Sequence, residues 1–158
     1  MPLNRRELLT GLAAATAACA VPEMAFAQFT PGIRINAGRL QRSLEGLSVF
    51  GRPEGGTLVD GVSRIAYSDA DVAGRKYAME LMRSAGLDPH IDTAGNIMAL
   101  RQGSDSSLKP ILFGSHIDSV PGGGNFDGDL GSMAAIEIMH TLKDASLSTR
   151  HPDRKSVV

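Results

Sequence analysis

Apolar residues recur at helical spacing in three stretches of the chain. Ile33, Ala37, Leu40, Leu44 and Leu47 step by three and four and predict an amphipathic helix over roughly 34–50. Ser68-Asp69-Ala70-Asp71 has the form of an N-cap followed by acid in the first turn. Tyr77, Ala78, Leu81, Met82 and Ala85 then share one stripe, and Gly86 is the expected stop. A third helix is expected over about 130–143, with Leu130, Ala134, Ile138 and Leu142 inward. Between the second and third helices, His90-Ile91-Asp92 and Asn96 to Leu100 read as short extended runs joined at Thr93-Ala94-Gly95 in a hairpin. The continuous apolar run from Ile111 to His116 predicts a buried strand. Gly51 to Gly61 and Pro121 to Gly128 are turn-rich loops. At the far end, Ser148 to Lys155 reads as polar loop, and Ser156-Val157-Val158 as a strand that begins and stops. That last feature predicts a chain continuing in a longer protein; a disordered natural tail is the alternative.

The first residues have a different pattern. Met1 to Arg6 is short and basic, Leu8 to Val21 is apolar and Ala-rich, and Pro22 breaks the run. Ala25-Phe26-Ala27 puts small residues where a signal peptidase reads, so cleavage is expected before Gln28. The run is shorter than the ~20 apolar residues a membrane span requires. Asn4-Arg5-Arg6-Glu7-Leu8-Leu9 resembles a twin-arginine export signal, which predicts an exported, periplasmic protein without a stable membrane anchor after cleavage. Thr16-Ala17-Ala18-Cys19 resembles a lipoprotein box only faintly, lacking the apolar first position. The expected organisation is a signal peptide over 1–27, a linker over 28–35 and a catalytic-domain segment over 36–158.

Composition narrows the function. The 158 residues are 42% apolar and only 4% aromatic, with 18 Gly and 8 Pro, which suits one loop-punctuated α/β domain. Sixteen basic against 17 acidic residues leave a net charge of −1, no footprint for nucleic acid and no polybasic membrane patch. The single cysteine, Cys19, falls in the expected signal, so the mature chain has neither disulfide nor thiolate ligand. Any metal site must use His and carboxylates.

The chemistry concentrates in 114–131. His116 and Asp118 stand two apart at the end of the predicted strand and therefore project to one side. A carboxylate so placed can accept from one ring nitrogen while the other binds a metal. The glycine-rich loop then brings Asp127 to the mouth of the next helix, where a carboxylate can bridge two cations and negative charge is favoured. Taken singly, His116 reads as a satisfied polar residue, Asp118 as a loop carboxylate and Asp127 as an N-cap. Together they point to a metal site. His90, His140 and His151 are read as non-ligands. A phosphate-cradling loop is the rival, but after Gly122 and Gly124 the third glycine is replaced by Asp127, and Asp127 with Asp129 would repel a pyrophosphate.

The stretch Gly114-Ser115-His116-Ile117-Asp118-Ser119-Val120, followed by Gly123-Gly124-Asn125-Phe126-Asp127-Gly128 and Gly131, resembles the amidase, hydantoinase and carbamoylase branch of the zinc aminoacylase-like metallohydrolases. Arg64-Ile65-Ala66-Tyr67-Ser68, Ala85-Gly86-Leu87 and Asp92 with Gly95-Asn96 follow the same family, so the resemblance extends over about 33–158. Asp129 departs from it, standing where the family usually has an uncharged residue. The resemblance implies the N-terminal half of a three-layer α/β/α catalytic domain with a mostly parallel sheet, and a homodimer at full length. It also implies two divalent metal ions, zinc or manganese, with His116 a terminal ligand and Asp127 the bridge. Asp118 would be the catalytic-site residue that steadies His116. The implied reaction is hydrolysis of a C–N bond in a small linear ureido or amide substrate, N-carbamoyl-L-amino acids first and allantoate or ureidopropionate next. A metallopeptidase or aminoacylase, or a non-catalytic remnant, is the alternative. Because the base and the remaining ligands are not in this chain, the 158 residues by themselves are expected to be inactive.

Overall fold

The structure, a computed structural model, describes residues 32–157. The expected signal peptide, its cleavage site, Cys19 and the first half of the expected linker lie outside the described residues. Three helices and four strands follow in the order α1 (Ala37–Ser48), α2 (Asp69–Ser84), β1 (His90–Ile91), β2 (Ile97–Arg101), β3 (Ile111–Ser115), α3 (Asp129–Asp144) and β4 (Asp153–Val157).

The first two helices begin where their sequence supplies a start. Asn36 caps α1 by accepting from the Arg39 N–H at 3.0 Å, and Ser68 caps α2 by accepting from Asp71. Asp69 and Asp71 place negative charge in the first turn of α2. The predicted stripe of α2 is realised, with Ala78, Met82 and Ala85 buried and Tyr77 and Leu81 packed against them. The predicted stripe of α3 is realised only at Leu142, which packs against the core. Leu130 and Ile138 are exposed, and the buried face is Met133, Ala135, Ile136 and Met139. This helix is apolar around much of its circumference, so spacing alone leaves its inward direction undetermined.

The four strands form one mixed sheet in the order β1-β2-β4-β3. β1 with β2 and β2 with β4 are antiparallel, and β3 with β4 is parallel. The expected mostly parallel sheet is thus corrected for the described strands. Residues 92–96 are too short to do anything but reverse the chain, whereas α3 provides the long crossover a parallel pair needs. β4 also begins earlier than its sequence suggests. Asp153, Arg154 and Lys155 look like loop, but their backbone is paired on both sides, opposite Arg101, Leu100 and Ala99 on β2 and Ile111, Leu112 and Phe113 on β3. Position inside a sheet overrides weak strand propensity here.

Leu44, Leu47, Ala78, Met82, Ile97, Ala99, Ile117, Met133, Ile136 and Met139 form one core between the helices and one face of the sheet. On the other face Leu100 and Leu112 flank Arg154 in register and are exposed, Leu112 by 61%. The expectation of a strand buried on both faces at 111–116 is therefore corrected: in β3 only Phe113 packs against the helix-side core. Among the described residues no helix is long and apolar enough to cross a membrane.

Candidate metal centre

The segment between β3 and α3 has little regular structure of its own, and side chains hold it in place. Residues 57–64 run beneath it. Val62 and Gly123 form an isolated antiparallel bridge, each N–H donating to the other's carbonyl at 2.9 Å. Ser119 donates its N–H to Arg64 O at 2.8 Å and its hydroxyl to Val62 O at 3.1 Å. The Gly122 N–H donates to the Ser63 hydroxyl at 3.0 Å. Asn125, buried, donates from Nδ2 to the carbonyls of Leu58 at 2.8 Å and Asp60 at 2.6 Å. These bonds satisfy a loop whose backbone could not otherwise be ordered.

His116 emerges one residue after β3 and is part-buried, its side chain 40% exposed. Its Nδ1 lies 3.3 Å from Asp118 Oδ1 and 3.1 Å from the Asp118 carbonyl. No described residue engages Nε2. The Ser132 hydroxyl, on the first turn of α3, donates to His116 O at 3.0 Å and fixes the backbone below the ring. Gly128 lies flat against the imidazole: a Cβ there would come within 2.5 Å of Nδ1 and 2.6 Å of Nε2. Its φ of +71° is one that side chains resist.

Gly128, not Asp127, is the N-cap of α3, and no side chain caps this helix. The N-cap reading of Asp127 is thereby corrected. Only its carbonyl is used, accepting from the Asp129 N–H at 2.8 Å, and its exposed carboxylate is left available. The structure thus brings His116 and Asp118 into contact and sets Asp127 one residue from the glycine that faces the ring. Among the described residues, no group of three or more His, Cys, Asp or Glu side chains converges as a ligand set. His140 Nε2 instead meets the Ser84 hydroxyl at 3.1 Å, and His151 Nδ1 the Lys109 carbonyl at 3.0 Å. An unengaged imidazole nitrogen and an exposed carboxylate suit zinc or manganese as donors, and they amount to part of a coordination sphere.

Two residues beneath the site have a role that sequence spacing did not assign. Arg64 is fully buried, and its guanidinium reaches Asp129 Oδ2 at 2.5 Å; Asp129 is 2% exposed. Burial is the largest influence on the Asp129 carboxyl and raises it above the ordinary carboxylate range, against the Arg64 bond and charge. The charges of His116 and Asp127 also reach it, the first lowering and the second raising it. A lone arginine inside an otherwise apolar and small-residue stretch, Val62 to Ala66, was the available signal.

The α/β scaffold thus presents a histidine backed by a carboxylate, with a second carboxylate across a glycine-rich turn. No protein-family model matches the chain. It is 36% identical over 119 residues to an N-carbamoyl-L-amino-acid amidohydrolase of Rhizobium meliloti, which covers 75% of this chain and 28% of that protein. It is 33% identical over 113 residues to the allantoate amidohydrolase of Escherichia coli K12, covering 70% of this chain and 26% of that one. Among solved structures, a hydantoinase/carbamoylase family amidase from Burkholderia ambifaria superposes with a TM-score of 0.73 at 38% identity, over 79% of this chain and 30% of that one. The chain is a homologue of the N-carbamoyl-L-amino-acid and allantoate amidohydrolases and shares the fold of the hydantoinase/carbamoylase amidases. It spans about 28% of the length of the first curated relative.

Proposed function

We propose that this chain contributes part of the metal site of a hydrolase that cleaves the C–N bond of small linear ureido substrates, N-carbamoyl-L-amino acids first and allantoate next. The observation that bears the most weight is the imidazole of His116, engaged at Nδ1 by Asp118 and unengaged at Nε2, beside Gly128 and Asp127. His116 would bind through Nε2, Asp118 would fix its tautomer, and Asp127 would bridge. Two divalent cations, zinc or manganese, would supply Lewis-acid polarisation of the ureido carbonyl and neutralise the charge that develops on it. Within this chain, the glycine-rich turn keeps the approach to Asp127 free of side-chain bulk, and the packed helix–sheet core holds His116 from behind. The base that receives the proton of the attacking water is assigned to no residue here. The same reading makes the protein an exported one, on the strength of Arg5-Arg6 and Ala25-Phe26-Ala27.

The test is hydrolysis by the longest product its gene encodes, measured on N-carbamoyl-L-amino acids, allantoate and dipeptides, before and after chelation and with zinc or manganese restored. Metal-dependent turnover of a ureido substrate is expected, with none from the 158 residues in isolation. Preference for dipeptides, or turnover indifferent to chelation, would reject the proposal in favour of a peptidase or a metal-independent enzyme.

A further inference from the structure

Arg64 spends its donors in an unusual way. Nη1 donates to the carbonyls of Leu47 at 3.0 Å and Phe50 at 2.8 Å, at the end of α1. Nε donates at 2.5 Å to the carbonyl of Ile117, the residue between His116 and Asp118. Nη2 donates at 2.5 Å to Asp129, two residues beyond Asp127. The Arg64 stem runs over Gly74 of α2, where an added Cβ would stand 2.9 Å from its Cδ. Its own backbone is tied to Ser119 in both directions, the Arg64 N–H donating to the Ser119 hydroxyl at 2.9 Å.

One guanidinium therefore joins the two segments that bear the candidate ligands. We propose that Arg64 and Asp129 are a positioning pair, setting the spacing between His116 and Asp127 and hence the geometry in which the two can share a metal. This rests on the function proposed above. A purely structural role accounts for the bonds to Leu47 and Phe50. It does not account for the rest. A buried ion pair is seldom more stabilising than well-packed apolar residues of the same volume. This one also leaves Asp129 Oδ1 buried without a partner. A planar, five-donor cation that locks three backbone carbonyls and a carboxylate at fixed angles is suited to holding a distance. Asp129 tethers the first turn of α3, so the backbone of Asp127 and Gly128 is placed by the same contact.

The experiment uses the full-length protein freed of metal, with Co2+ as a spectroscopic probe of stoichiometry and affinity, alongside thermal unfolding of the metal-free form. Asp129→Asn keeps an oxygen for Arg64 and removes the charge; Arg64→Lys keeps the charge and removes the multiple bonds. Both are expected to weaken Co2+ binding about 10- to 100-fold, the scale typical of groups that orient metal ligands. kcat should fall and KM change little. The paired replacement Arg64→Met with Asp129→Leu leaves no charge unpaired but takes the donor from the carbonyls of Leu47, Phe50 and Ile117, so its midpoint is expected to fall. Its folded fraction is expected to bind Co2+ at least tenfold more weakly than the parent, and Asp129→Asn, which keeps Arg64 and its carbonyl bonds, is the control for folding. Folded variants with Co2+ affinity within twofold of the parent would overturn the positioning role. If the parent binds no Co2+, or His116→Ala binds it as tightly as the parent, the functional reading itself fails and the positioning role with it. Those two outcomes are read on proteins in which Arg64 and Asp129 are intact, so the two failures are distinguishable.

Discussion

Adding one carbon at Gly128 tests the site most directly. In Gly128→Ala the new methyl would meet the His116 ring, 2.5 Å from Nδ1 and 2.6 Å from Nε2, at a backbone φ of +71°. With ψ at −46° this backbone lies outside the left-handed helical well, in a sparsely populated conformation that costs a side-chain-bearing residue about 1–3 kcal/mol. A rigid neighbour would add about 1–3 kcal/mol of overpacking. The imidazole is not rigid, however: it is 40% exposed and held only through Asp118, so it yields by swinging outward. The stability loss should therefore stay near the backbone cost. At roughly 4 °C per kcal/mol for a folding unit of this size, the unfolding midpoint of the metal-free protein falls by about 4–12 °C. The clash appears instead as a displaced ring, and Co2+ affinity drops at least about tenfold. A Gly128→Ala protein with a lowered midpoint and parental Co2+ affinity would refute the claim that the ring binds metal from where it now sits. A parental midpoint would refute the backbone argument.

Three further outcomes are expected. Met82→Ala empties a fully buried position in the core and should destabilise by about 2–5 kcal/mol in denaturant titration, with Co2+ affinity unchanged in the folded fraction; a loss under 1 kcal/mol would mean the core collapses around it. Asn36→Ala removes the cap of α1 and should cost about 1 kcal/mol by the same measurement. Burial raises the Glu137 carboxyl, but Arg39, the Asn36 N–H and the Thr141 hydroxyl more than offset this and hold it below the ordinary 4.5. Its contribution to stability is then complete above about pH 4.5 and drains away as pH falls through the folded value. Glu137→Gln should flatten that acid limb, and an acid limb parallel to the parent's would contradict the assignment.

Local signals located most of the elements. Ser68, the acidic first turn after it and Gly86 bracket α2, and the apolar spacing of Ala78, Met82 and Ala85 gives its inward face, because capping and amphipathicity are written within a few residues. The inward face of α3 and the start of β4 were not legible, for a shared reason. Met133 and Ile136 are no more apolar than Leu130 and Ile138, and Asp153-Arg154-Lys155 has no strand propensity. What decides each is a neighbour distant in the chain. At the site, the glycine spacing of 122–131 and the nearness of His116, Asp118 and Asp127 were readable. The pairing of Arg64 with Asp129, 65 positions apart, was not, since nothing in either neighbourhood names the other.

That long-range pair bears on how an irregular loop can hold ligands at all. Ladders of backbone bonds fix a strand or helix, but between Ser115 and Asp129 the only regular pairing among the described residues is the single Val62–Gly123 bridge. The remaining order comes from side chains on one short segment below: Ser63 on Gly122, and Arg64 on Ile117 and Asp129. The loop answers with Ser119 on Val62 and Asn125 on Leu58 and Asp60. Each of these bonds ends on a backbone carbonyl or N–H, or on the carboxylate beside the first turn of α3. The segment 58–64 would therefore act on the proposed metal site without supplying a ligand to it. Changes there should alter metal affinity more than their distance from His116 in sequence would suggest, and changes on the opposite, exposed face at Leu100 or Leu112 should leave it alone.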